Sequence, residues 1–124
     1  MPEFDRVRYQ EATVVFKRGL KASAAGIHRT LNRAPKGKGW VQCNNASAGI
    51  LCRPAKVRES VSYFKMAYEI FPDIVALNQI ALGHEMIGET EEARTYFTLM
   101  KEQAEREGNE AYRKTAEIGL QRLG

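Results

Sequence analysis

Three stretches of this chain repeat one pattern: Glu11-Ala12 followed by Phe16, Glu59-Ser60 followed by Tyr63-Phe64, and Glu92-Ala93 followed by Tyr96-Phe97. The second and third lie 33 residues apart and agree at Glu, a small residue, Tyr and Phe. A self-similar period of roughly 20–50 residues is the mark of stacked supersecondary units, none of which can bury its apolar face alone. Arrays of this kind bind partners and seldom carry a reaction centre.

Each stretch has helical periodicity. Ser60, Phe64, Ala67 and Phe71 recur at i, i+4, i+7 and i+11, and Ala93, Phe97 and Met100 repeat that stripe one unit later. Pro72 stops the earlier helix and Asp73 is placed to cap the next. Leu77, Ile80, Ala81 and His84 form a second stripe, which Gly88 closes. Thr90 then opens the partner helix, so the unit reads helix, tight turn, helix. Tyr112, Ala116, Gly119, Leu120 and Leu123 line a closing helix over 109–123, after the turn and cap offered by Gly108-Asn109.

This pairing resembles the tetratricopeptide repeat (TPR), a helix-turn-helix unit of about 34 residues. Over 74–106 the resemblance rests on Leu77, Ile80, Ala81, Gly88, Ala93 and Phe97, with His84 in the aromatic slot and Met100 in the second Ala slot. In the preceding unit it rests on Ala48, Leu51, Ser60, Phe64, Ala67 and Pro72, although Asn44 stands in the usual Trp slot and Arg53-Pro54-Ala55 replaces the turn glycine. The resemblance implies an all-α fold of antiparallel repeats over 41–72 and 73–106, with helix pairs near 41–53/56–71 and 74–87/90–106, stacked as a short α-α superhelix. It also implies a function: a non-catalytic adaptor or scaffold, without metal or cofactor, whose groove takes a peptide or helix. Carried over residue by residue, that groove comprises Gln42, Asn45 and Gly49 from one helix and Val75, Asn78, Leu82 and Glu85 from the next. Residues 41–52 and 74–87 contain no Lys or Arg, so the carboxylate clamp of one branch of the family is not implied.

The first unit departs from the pattern. Tyr9, Ala12, Phe16, Gly19 and Leu20 read as the second helix of a repeat whose first helix is missing. The stripe continues through Ser23, Ile27 and Leu31, which favours one long helix from about Asp5 to Asn32, within a segment 1–34. A break near Gly19 is the alternative, since glycine weakens a helix by about 1 kcal/mol relative to Ala. A basic, glycine-rich loop follows over 35–40. An orphan helix leaves Phe16, Leu20, Ile27 and Leu31 as an apolar edge, which predicts homodimerisation through that edge as an alternative function.

Charge divides the chain. Residues 1–58 hold 12 Lys and Arg against 3 Asp and Glu, whereas 59–124 hold 7 against 12. Lys17, Arg18, Lys21, Arg29 and Arg33 form a basic surface that reads first as a solvated face, next as a docking site for an acidic protein, and last as a nucleic-acid site, because few aromatics interleave with it. The longest uncharged run, Gly39 to Cys52, is too short and polar to span a bilayer. No leader pattern opens the chain, so a cytoplasmic setting is expected.

Reactive constellations are not evident. Lys36-Gly-Lys38-Gly39 lacks the spacing of a phosphate loop, and His84-Glu85 meets Gly88 where a zinc-protease helix needs its second histidine. His28 reads as solvated and His84 as a packing residue. Cys43 and Cys52, nine positions apart on a presumed helix, fall on opposite faces about 13.5 Å apart in rise. That spacing predicts two thiols that cannot bridge.

Overall fold

A computed structural model of the chain describes residues 5–29, 39–44 and 49–124. Asp5 opens the first helix by accepting a hydrogen bond from the Arg8 N–H at 3.1 Å. That helix, α1 (Arg6–Gly26), buries a face of small residues: Ala12, Gly19, Ala22 and Gly26. Smallness matters because it lets two helix axes approach closely. The ring of Phe64 lies where a Cβ on Gly19 would stand, at 2.6 Å. Three further contacts fix the direction of packing: Tyr9 on Phe71 (5.2 Å), Phe16 on Phe64 (5.0 Å) and Gly26 beside Lys56 and Val57. The start of α1 meets the end of α2 (Pro54–Ile70), and its end meets the start. The two helices are antiparallel.

Between them the chain forms a small sheet. β1 (Ile27–Arg29), β2 (Val41–Gln42) and β3 (Ile50–Cys52) are ordered β1-β3-β2, and both pairings are antiparallel. Ile27 and Val41 both face Cys52 across the ladders. Trp40, just before β2, packs between His28 (5.8 Å) and the Arg53 guanidinium (5.5 Å).

This sheet corrects two expectations. The helix expected over 41–53 is absent, because β-branched Val41 and Ile50 suit a pleated surface and Gly49 turns at φ +88°. Pro54 at the first turn of α2 holds Arg53 extended (φ −104°, ψ 105°), so no helix can run through into α2. The long helix expected to reach Asn32 ends at Gly26, whose carbonyl accepts from the Arg53 N–H at 2.8 Å; Leu31, Arg33, Asn45 and Ala48 lie outside the described residues.

The remainder follows the expected order. α3 (Ile74–Met86) is capped by Asp73, which accepts from the Val75 N–H at 3.0 Å, and Gly88 turns at φ +81° behind it. α4 (Thr90–Glu107) ends on Gly108 in the left-handed conformation, with the Asn109 N–H donating to Ala104 O at 2.8 Å. Asn109 then caps α5 (Glu110–Leu123). Ser60, Phe64, Ala67, Ala93, Phe97 and Met100, the repeated stripe, are all 2% exposed or less. One core gathers Ile74, Leu77, Ala81, Phe97, Met100 and Ala116; another joins Val61, Phe64 and Ile80. Gln103 ties the two halves, accepting from the Tyr68 hydroxyl (2.8 Å) and donating to Pro72 O (2.9 Å). The fold is therefore mainly helical, with one short sheet. Among the described residues no helix is long and apolar enough to cross a membrane.

Candidate functional site

Val75, Asn78, Leu82 and Glu85 recur at steps of three and four along α3 and so share one face. At its amino-terminal end, Val75 joins Tyr9, Thr13 and Phe16 of α1, Ala67 of α2 and Phe71 just beyond it around a cavity of about 200 Å³. At the carboxy-terminal end, Leu82 and Glu85 join Ile27, Arg29, Cys43, Ile50 and Arg122 around a second cavity of about 490 Å³. Asn78 stands between them. Its Oδ1 is buried and accepts no hydrogen bond from any described residue. A buried acceptor left unsatisfied costs about 1–3 kcal/mol, so this atom favours a donor.

Glu85 is only 4% exposed and is clamped by the Arg122 guanidinium, which donates to its two carboxylate oxygens at 2.6 and 2.5 Å. These hydrogen bonds push the Arg122 pKa above its ordinary value. Glu85 is thus a wall of the cavity held by α5 rather than an open contact.

The other expected groove residues are not gathered on this face. Gln42 is exposed on β2 and lines a separate hollow with Val41, Pro54 and Ile87; Gly49 sits in the turn before β3, and Asn45 is outside the described residues. The sequence places Tyr9 and Phe71 in helices but does not mark them or Thr13 as lining residues, although Tyr9, Thr13 and Phe16 keep helical spacing.

Lys17, Arg18 and Lys21 are exposed on α1, and none makes an ion pair with a described residue. Lys17 and Lys21 follow Thr13 at one-turn intervals, which sets a cationic edge beside the first cavity. Arg29 is exposed at the end of β1 and borders the second. The apolar edge expected to pair two copies is largely used within the chain: Phe16 lies on Phe64, and Ile27 pairs with Cys52 in the sheet. Leu20 stays 44% exposed. The edge looked orphaned only because its partner, α2, comes much later in the sequence.

His84 is buried, stacked on Tyr96 (5.6 Å, 17° between rings), with Nδ1 3.0 Å from Glu89 Oε1. Among the described residues no three His, Cys, Asp or Glu side chains are grouped to hold a metal ion.

Cys43 and Cys52 are both buried and share a cluster with Val57. The expectation that they occupy opposite faces of a helix is overturned, since the segment is a strand pair that brings them together. Burial, then the Cys52 side-chain hydrogen bond and charge, pushes the Cys43 thiol from 9.0 up to about 12. An unfolded Cys43 ionises above about pH 9 while the folded one keeps its proton, so the native state then binds more protons. The native state therefore loses stability as pH rises above about 9. Urea unfolding at neutral and at strongly alkaline pH should show this loss in the wild type, with a smaller slope in Cys43→Ala.

The comparisons with known proteins add no relative. No family model matches the chain, and neither the curated proteins nor the solved structures contain a match. The site is read on its own geometry.

Proposed function

We propose that the chain is a non-catalytic protein-interaction module of TPR type, an adaptor that receives a peptide or helix along α3. The observation that carries this reading is the single α3 face on which Val75 lines one cavity and Leu82 the other, with Asn78 between them in the chain. The smaller cavity suits one apolar side chain of the partner. The Lys17–Lys21 edge favours acidic residues flanking the anchor. The cations come from α1, which explains how an acidic segment is held although α3 carries no Lys or Arg. Support for the TPR reading comes from the buried stripe repeated 33 residues apart and from the α3/α4 pair with its Gly88 turn.

Panning a random peptide library on the immobilised protein tests this. Selected peptides should share an apolar anchor with acidic neighbours. Asn78→Ala should weaken them about tenfold, or roughly 1.4 kcal/mol, without changing thermal unfolding, and Leu82→Gln, at a side chain that also packs on the core, should weaken them at least as much. Raised salt and Lys17→Glu/Lys21→Glu should weaken acidic peptides selectively. Failure to enrich any peptide, or binding indifferent to both α3 changes, would remove the reading.

A further inference from the structure

The ladder sets Val41 opposite Cys52 and Gln42 opposite Leu51, and the Cys43 N–H extends it by donating to Ile50 O at 3.2 Å. Residues directly opposite point to the same face, and so do residues two apart on one strand. Cys43, opposite Ile50, therefore shares a face with Cys52 as its diagonal neighbour. Diagonal Cβ atoms lie a little under about 7–8 Å apart, within reach of two thiols. Here both side chains belong to one buried cluster with Val57. Cys43 is 3% exposed and Cys52 wholly buried, packed among Val57, Ile50, Met86 and Ile87.

We propose that Cys43 and Cys52 form a reversible thiol–disulfide pair, oxidised by low-molecular-weight disulfides and reopened by the matching thiols.

The roles follow from access. Cys43 is a wall of both hollows that flank β2, so an incoming reagent reaches it first. Burial keeps Cys43 mostly protonated, so its small ionised fraction is the nucleophile: that thiolate attacks one sulfur of the small disulfide, forming a mixed disulfide and expelling a small thiolate that takes up a proton. The Cys52 thiolate then attacks the Cys43 sulfur and expels the second small thiol. Two protein thiols are oxidised, and one small disulfide is reduced to two thiols. A metal is the poorer occupant, since no third His, Cys, Asp or Glu among the described residues completes a donor set.

Closure requires the Cβ atoms to draw to about 3.5–4.5 Å. β2 can supply that movement, being an edge strand of two residues. The bond would fix β2 against β3, and with it the wall common to the two hollows. Trp40, the only tryptophan, adjoins β2 and packs on His28 and Arg53, so its emission reports the change.

The test incubates the full chain in glutathione buffers from reducing to oxidising. After an acid quench, remaining thiols are alkylated in denaturant and mass is measured. The wild type should lose two hydrogens and both alkylation sites together, yield a Cys43–Cys52 cross-linked peptide, shift its Trp40 emission, and revert with dithiothreitol. Cys52→Ser should stop at a glutathione adduct on Cys43, with no emission shift of the wild-type size. The wild-type result stands by itself if a variant fails to fold. Thiols that persist in the most oxidising buffer, glutathione adducts without the cross-linked peptide, or a link only between chains would each overturn the proposal.

Discussion

Truncating Phe97 to Ala should destabilise the protein by about 3–5 kcal/mol, and Phe64→Ala should cost about as much. Both side chains are among the largest that are wholly buried. Each ring also lies over a helical glycine: a Cβ on Gly19 would meet Phe64 at 2.6 Å, and one on Gly119 would meet Phe97 at 2.6 Å. Glycine has no side chain that can swing into the space a lost ring leaves. The helices themselves would have to collapse, which the Ala12, Ala22 and Ala116 contacts already hold at close range. A domain of ordinary stability has only about 5–15 kcal/mol in total, so either substitution removes a large share. Urea unfolding followed by circular dichroism measures it, and wild-type midpoints for both variants would contradict the packing described.

The second large effect is expected at Arg122. Replacement by Leu removes two short hydrogen bonds from the Glu85 carboxylate, which stays buried on α3. Breaking a fully buried pair costs about 3–5 kcal/mol. Arg122 is about a third exposed, so solvent screening reduces the expectation to about 2–3 kcal/mol. Adding Glu85→Gln should recover part of that loss, because the charge that needs a partner is then gone. A cost of about 0.5 kcal/mol or less in urea unfolding would mean that the pair behaves as a surface contact.

The helical half of the fold is legible from residue spacing. Asp73, Gly88 and Gly108-Asn109 act by local backbone chemistry that needs no distant partner, and the Phe64 and Phe97 stripes follow from periodicity. The sheet was hidden because Ala48 and Leu51 suit helical slots while Val41, Ile50 and Cys52 also suit strands; short apolar runs do not separate the two. Arg53-Pro54 and the Gly49 turn were the discriminating signals. The site was half readable: Val75, Asn78 and Leu82 share a face by spacing alone. The Glu85–Arg122 clamp spans 37 positions, the Cys43–Cys52 contact depends on strand register, and α1 packs on α2 through small residues that name no partner.

The partner of α1 lies across the whole 27–53 connection, whereas α2 through α5 follow one another after short turns. Contacts distant in sequence must overcome chain-closure entropy before they reward the protein, and they therefore form late. The segment 54–123 is accordingly the part held by nearest-neighbour contacts, whereas the packing of α1 on α2 has to close the 27–53 connection. One wall of the candidate groove thus rests on contacts between sequence neighbours, and the other on contacts that close a long connection.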